Sequence, residues 1–279
     1  MFNFLKNSIK KHNFHIVDPS PWPIVMSFAL FILTSGAALY FYNCKNGGFL
    51  LILGLICVII VMSLWFRDVI REGTFEGYHT KCVQQGLIYG MMLFIVSEVM
   101  FFAAFFWAFF HSSLAPTIEI GGTWPPYLLW EFVINPFEVP LLNTIILLIS
   151  GATITWAHHS ILLNNEKDAI IGFSLTILLA IMFIAAQALE YITSVISIAD
   201  GIYGSCFYLL TGFHGFHVII GTIFIIICFI RYLLAHFTPN HHIGFTSAAW
   251  YWHFVDVVWL FLFIFVYVWG HWEPTFILN

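Results

Sequence analysis

Ionisable residues inside long apolar stretches are the first candidates for chemistry in this sequence. Glu98 stands in the run Ile95-Val-Ser-Glu-Val-Met-Phe-Phe, and no other charged residue occurs between Lys81 and Glu119. A carboxyl in such surroundings is costly and is a functional candidate by default. It must either stay protonated or find a hydrogen-bonded partner. Two interpretations are open: a carboxyl that takes part in proton movement or lipid contact, and a neutral structural Glu that bonds to another helix.

Histidine is the second group of interest, with 13 residues in the chain. A haem or copper site needs imidazoles from several facing helices, and His214, His217 and His253 are the three that could supply them. Hydrogen bonding of buried His across helices is the commoner explanation, and we favour it. Asp256 lies three residues after His253, a spacing that predicts a structural pair. Glu190 ends an apolar run close enough to the outer interface to reach water, and we assign it no role.

The composition decides the class of protein. Of the 279 residues, 61% are hydrophobic and 8% are charged, against about 25% charged in a soluble domain. So little charge excludes a soluble enzyme, a disordered chain and a basic nucleic-acid binder, and the net charge of −5 indicates no polyanionic partner. The five Cys form no CxxC motif and are expected to be buried small apolar residues. The chain is predicted to be a membrane protein.

Seven apolar stretches are long enough to cross a bilayer, for which about 20 residues suffice. They are residues 22–42, 47–66, 85–110, 139–163, 169–189, 204–234 and 247–270. The predicted fold is therefore an all-α membrane protein with seven transmembrane helices. The charged inner loop 67–81 separates the first two helices from the later five, so we expect residues 1–76 to form a two-helix unit and residues 77–279 a five-helix bundle.

Basic residues give the orientation. Eight of them fall on the N-terminal side of the predicted membrane: Lys6, Lys10, Lys11, Arg67, Arg71, Lys81, Lys167 and Arg231. Only Lys45 falls on the other side. The positive-inside rule then places the N-terminus in the cytosol or the mitochondrial matrix and the C-terminus outside. Arg67, Arg71 and Trp65 at one helix end, with Arg231 and His236 at another, suit either anionic lipid phosphates or plain snorkelling.

Eight longer strings of residues follow one another along the chain. They are Val17-Asp-Pro-Ser-Pro-Trp-Pro, Trp65-Phe-Arg-Asp-Val-Ile-Arg-Glu, Phe94-Ile-Val-Ser-Glu-Val-Met-Phe-Phe, Phe110-His-Ser-Ser-Leu-Ala-Pro, Glu138-Val-Pro-Leu-Leu-Asn-Thr, Thr155-Trp-Ala-His-His-Ser, Thr211-Gly-Phe-His-Gly-Phe-His-Val-Ile-Ile-Gly and Trp250-Tyr-Trp-His-Phe-Val-Asp-Val-Val-Trp-Leu-Phe. In this order, from about residue 17 to residue 272, the sequence resembles subunit III of the haem–copper cytochrome c oxidases. Phe66 and Thr246 depart from residues common in that family without weakening the resemblance.

The resemblance implies a particular role for the chain and its residues. It implies two helices splayed from five, with phospholipids in a V-shaped cleft, and no haem, copper or catalytic centre in this chain. The implied partners are oxidase subunits I and II and accessory subunits. The role would be to stabilise subunit I and sustain proton uptake, in the mitochondrial inner membrane or, alternatively, a bacterial plasma membrane. A haem-bearing oxidase subunit and an independent transporter are the other readings.

By position, the resemblance also assigns individual residues. Glu98 matches the buried carboxyl of the family, which is either proton-related or structural. The residues that match positions near bound lipid headgroups are Trp65, Arg71, Glu72, Thr74, His79, Arg231 and His236. The mid-membrane His residues then return to structural pairing, and no metal ligand is expected.

Overall fold

Seven long helices make up almost the whole of the structure, a computed structural model that describes residues 12–271. They are α1 Trp22–Phe41, α2 Gly47–Thr74, α3 Lys81–Leu114, α4 Val139–Leu162, α5 Glu166–Thr193, α6 Gly201–Leu233 and α7 Ile243–Phe261. All seven, with α7 taken through its continuation to His271, are long and apolar enough to span a membrane. The predicted seven-helix fold is confirmed. Lys6, Lys10, Lys11 and residue 272, used in the sequence arguments, lie outside the described residues.

Several helices extend beyond the apolar runs that predicted them. The second was expected to end at residue 66, but α2 continues through its charged last turns to Thr74. Likewise α3 begins at Lys81 rather than at residue 85. The inner loop predicted at 67–81 is therefore only residues 75–80. Hydropathy marks the part of a helix that suits hydrocarbon, whereas the backbone hydrogen bonds continue for as long as the polar residues tolerate a helical backbone.

The first compact unit of the chain, Met1–Leu87, is built on α1 and α2. Two glycines allow the backbones of these helices to meet. A Cβ added at Gly36 would lie 2.5 Å from the Leu51 nitrogen, and one at Gly54 would lie 2.5 Å from the Leu33 nitrogen. Small residues at contact points are the usual way for helices to approach closely in a membrane. The pairing of α1 with α2 therefore depends on backbone contact.

The second compact unit, Ile88–Asn279, contains the main core. Trp252 and Trp259 of α7 are among its largest fully buried side chains. Each indole N–H donates a hydrogen bond to a hydroxyl on α4. Trp252 Nε1 donates to Ser150 Oγ and Trp259 Nε1 donates to Thr144 Oγ1, both at 2.9 Å. A buried indole N–H needs such an acceptor. The two bonds fix the rotation of α7 against α4, and with it the faces that carry the polar residues described below.

The end of α7 departs from regular helical geometry. Residues Leu262–Val268 form a π-helical segment, and Trp269–His271 close it with a 3₁₀ turn. The loop between α3 and α4 contains two short 3₁₀ helices, Ile118–Ile120 and Tyr127–Phe132. A π segment contains more residues per turn than an α-helix and is frequent at functional sites. Here it contains Tyr267, a fully buried side chain with a polar tip.

Candidate functional site

Glu98 faces a single histidine within the second unit. It lies in the middle of α3, and its Oε2 is 2.8 Å from Nε2 of His217 on α6. The side chains are 22% and 9% exposed, respectively. The sequence identified Glu98 and His217 separately as intramembrane groups, and the structure brings them together. The carboxyl has the cross-helix partner that an intramembrane carboxyl requires.

The hydrogen bonds of His217 determine how many protons the pair holds. Its Nδ1 lies 2.6 Å from the Phe213 carbonyl, which can only accept, so this nitrogen carries a hydrogen. Nε2 then either accepts a hydrogen from a neutral Glu98 carboxyl or donates one to the carboxylate as imidazolium. Both arrangements contain one proton between Oε2 and Nε2 and carry no net charge. The two side chains therefore form one hydrogen bond across α3 and α6.

Aromatic rings surround this pair. The His217 ring lies 5.0 Å from the ring of Phe102 on α3 and 6.3 Å from those of Tyr251 and Phe254 on α7, measured between centroids. Phe101 also lies near it, at 6.1 Å. Aromatic neighbours of this kind exclude water and hold the imidazole in one orientation. The rings therefore pack closely around the imidazole.

The other two candidate metal-binding histidines each have a separate partner. His214 is buried and its Nε2 donates to the Val255 carbonyl at 3.1 Å. His253 Nε2 lies 3.2 Å from Thr155 Oγ1, and its Nδ1 lies 3.7 Å from Asp256 Oδ2. The predicted pairing of His253 with Asp256 is confirmed. Each imidazole is thus oriented by its own hydrogen bond or ion pair.

Glu190 is placed differently from the sequence prediction. Expected to reach water, it is only 4% exposed. Its Oε1 accepts from Gln187 Nε2 at 2.9 Å and from the Tyr267 hydroxyl at 2.6 Å. Asn143 of α4 extends the network by donating to Gln187 Oε1 at 3.2 Å. Hydropathy correctly predicted the position of Glu190 along the axis of α5. It does not predict the direction around that axis, and in the structure Glu190 points towards α4 and the end of α7.

The lipid-binding candidates of the first unit lie along the end of α2 and the turn after it. Trp65 and Arg71 are exposed, whereas Glu72, Thr74 and His79 are half-buried. One donor atom each from Glu72, His79 and His15 lie within 4.8 Å of one another. His15 is not among the site residues predicted from the sequence. No motif connects it with Glu72, because 56 residues separate the two positions in the chain.

The candidates of the second unit, Arg231 and His236, lie at the end of α6. The guanidinium carbon of Arg231 is 4.5 Å from the centre of the Phe237 ring, and a Cβ on Gly244 would lie 2.7 Å from its Nη1. His236 lies three residues after the end of α6 and donates its backbone N–H to the Arg231 carbonyl at 3.0 Å. Partial burial and the nearby guanidinium lower the pKa of His236 and of His241. The imidazoles are therefore neutral at physiological pH, and Arg231 carries the positive charge.

Comparison with known proteins identifies a family for the chain. The family model of cytochrome c oxidase subunit III matches residues 12–271. Cytochrome c oxidase subunit 3 of Prototheca wickerhamii is 62% identical over 262 residues, which cover 94% of this chain and 99% of that protein. The protein of the same name from Triticum aestivum is 59% identical over 261 residues, covering 94% and 98%. That of Danio rerio is 57% identical over 259 residues, covering 93% and 98%.

Proposed function

Because the chain belongs to the cytochrome c oxidase subunit III family, we propose that it stabilises the redox subunit I, binds phospholipids and supports proton uptake while the oxidase reduces oxygen. Membership makes it a multi-pass core subunit that assembles with the other subunits of complex IV. The family itself carries no haem or copper. We place the chain in the mitochondrial inner membrane, beside subunits I and II and accessory subunits, with its N-terminus in the matrix.

The environment of Arg231 is the observation that carries the lipid part of this proposal. The guanidinium at the end of α6 is held between an aromatic ring and a glycine backbone. A fixed, partly buried guanidinium is a strong bidentate partner for a phosphate group. Tyr232 and Phe237 beside it supply apolar surface for the part of a phospholipid acyl chain nearest the headgroup. Aromatic residues at headgroup depth commonly make such contacts. In the first unit, exposed Arg71 and Trp65 offer the same combination of charge and ring.

The Glu98–His217 pair supports the part of the proposal that concerns protons. It holds one proton between a carboxyl and an imidazole, inside a membrane-spanning unit. Intramembrane carboxyl and imidazole groups of this kind are typical of proton relays. We propose that the pair buffers a proton for the oxidase. Its role is then to sustain turnover, since the redox chemistry takes place in the partner subunits.

The test of the lipid proposal is the double variant Arg71→Ala with Arg231→Ala, purified as the whole oxidase complex. We expect it to lose tightly bound phospholipid and to have a shorter catalytic lifetime, whereas the initial rate changes less. Removing a basic residue near a membrane surface weakens anionic lipid binding by about 1 kcal/mol, or roughly fivefold per residue. Lipid content is measured by mass spectrometry, and lifetime as the number of turnovers before activity falls by half.

A matched control removes the same charge from exposed residues outside the proposed set. Lys81 at the start of α3 and Lys167 at the start of α5 serve this purpose. The variant Lys81→Ala with Lys167→Ala should keep its lipid and its lifetime. Unchanged lipid and lifetime in the Arg71/Arg231 variant, or equal losses in both variants, would contradict the proposal.

A further inference from the structure

We propose that His15, Glu72 and His79 form a binding site for a divalent transition-metal ion, with Zn²⁺ the best match. The three donor atoms lie within 4.8 Å of one another. Among residues 12–271, this is the group of three His, Cys, Asp or Glu side chains whose donor atoms come that close together. Two imidazoles and one carboxylate are a set that Zn²⁺ uses when a water completes its tetrahedron. All three side chains are half-buried, so a water molecule can reach the fourth position.

The ring of His15 is fixed by its neighbours. It stacks on Tyr78 with centroids 4.9 Å apart and planes 11° from parallel, and it lies 6.0 Å from the His79 ring. Two residues earlier, the Asn13 carbonyl accepts a hydrogen bond from Thr80 Oγ1 at 2.6 Å. The segment before α1 is therefore bound to the turn between α2 and α3. This attachment is what brings a histidine from outside the helices to Glu72.

The turn also positions His79 directly. The Tyr78 N–H donates to the Glu72 carbonyl at 3.0 Å, and Gln84 Nε2 donates to the His79 carbonyl at 2.8 Å. The imidazole packs on Gly73, where an added Cβ would lie 2.6 Å from its Nδ1. A side chain at position 73 would displace the ring. The glycine thus permits His79 to reach the side of α2 that carries Glu72.

The spacing of the donors suits metal capture. Tetrahedral bonds of about 2.0–2.1 Å place ligand atoms about 3.4 Å apart. Donors within 4.8 Å reach that spacing by side-chain rotation of half-buried groups, while the backbone stays in place. The carboxylate offsets half of the charge of the ion, and the neutral imidazoles provide the ligand strength that favours Zn²⁺ over Mg²⁺ or Ca²⁺.

This site goes beyond the proposed lipid function, although two residues are shared. Glu72 and His79 match lipid-contact positions, whereas His15 belongs only to the metal group. A bound ion would join the segment before α1 to the end of α2 by coordinate bonds. Substitution of His15 therefore separates the two ideas, because it removes one metal ligand and leaves every proposed lipid residue unchanged.

The experiment measures Zn²⁺ in the purified oxidase complex. Wild type and variants are dialysed against graded Zn²⁺, and bound zinc per haem is counted by inductively coupled plasma mass spectrometry. We expect His15→Ala and His79→Ala to bind one zinc fewer per complex, or to bind it at least about tenfold more weakly. Even changes to residues that only hydrogen-bond a metal ligand cost that much. The control His12→Ala removes an exposed histidine three residues away and should bind as wild type does.

Two further measurements keep the proposal open to refutation. His15→Cys should retain the zinc, because a thiolate is also a zinc ligand. X-ray anomalous scattering at the zinc edge should place a peak at the three donors in zinc-soaked wild-type crystals; absence of this peak overturns the proposal. Equal zinc in His15→Ala and His12→Ala also overturns it. Loss of zinc in His15→Ala with phospholipid retained supports the site even if the lipid function fails.

Discussion

The hydrogen bonding of Glu98 leads to a specific expectation for its isosteric replacement. In Glu98→Gln the side-chain amide can donate to His217 Nε2, just as a protonated carboxyl would, while Nδ1 keeps its bond to the Phe213 carbonyl. We therefore expect the variant subunit to assemble into the oxidase at near wild-type yield. Native gels measure the assembled yield. Infrared spectroscopy should show the loss of one carboxyl signal, and turnover at low proton supply should fall.

The matched comparison is Glu98→Ala, which removes the partner of His217 altogether. Loss of a typical hydrogen bond costs about 0.5–1.5 kcal/mol, and the vacated space adds to this cost. This variant should assemble less well than Glu98→Gln. If Glu98→Gln fails to assemble but Glu98→Ala assembles, the neutral hydrogen-bonded pair is the wrong description of this contact.

The sequence revealed these groups only one at a time. Glu98 is conspicuous because a charge in an apolar run is costly, and a period of 3.6 residues places His214 and His217 on one side of a helix. That Glu98 meets His217 could not be predicted, because they are 119 positions apart in the chain. Glu190 was wrongly expected to reach water, because depth in the bilayer and direction around the helix axis are independent. Hydropathy reports only the depth.

At the scale of elements, the contact between α1 and α2 leaves no room for a side chain at Gly54. Gly54→Ala would place a Cβ 2.5 Å from the Leu33 backbone, which cannot move aside as a side-chain end can. Overpacking of this kind costs about 1–3 kcal/mol. We expect the temperature at which half of the subunit dissociates from the purified complex to fall, as followed on native gels.

A glycine in the same helix serves as the control. Gly48→Ala would meet only the Tyr40 side chain, at 3.5 Å, an ordinary contact. Its dissociation temperature should equal that of wild type. Equal behaviour of Gly48→Ala and Gly54→Ala would show that the two helices separate to accept the methyl group. The sequence predicted both helices from their apolar runs, but it gave no sign of which glycines face each other.

For the whole molecule, the number of spans was predictable because the bilayer imposes one length on every helix. Seven apolar runs became seven helices long enough to cross it. The ends were less predictable, since α2 and α3 continue into polar turns that hydropathy does not register. Which polar residues meet also depended on the rotation of each helix. The packing of large aromatic side chains in the core determines that rotation, and no local pattern encodes it.

The proposed orientation can be tested with two native cysteines. Cys44, in the turn after α1, and Cys82, at the start of α3, are both exposed, so the prediction that the cysteines are buried is wrong for these two. With the N-terminus in the matrix, a membrane-impermeant maleimide applied to mitoplasts should label Cys44, and should label Cys82 only after permeabilisation. Cys44→Ser and Cys82→Ser identify the labelled residue by mass spectrometry. Labelling of Cys82 in sealed mitoplasts would reverse the assignment.

The irregular turn of the last helix has a consequence for the length of the chain. A π-helical segment such as Leu262–Val268 contains one residue more than a regular helix needs to cover the same rotation. Loss of a single residue there can be absorbed by a return to ordinary pitch, with the following side chains still facing their neighbours. The same deletion in the middle of α4 or α5 would turn every later side chain by about 100°. Natural shortening of this subunit by one codon is therefore expected to be tolerated at this segment.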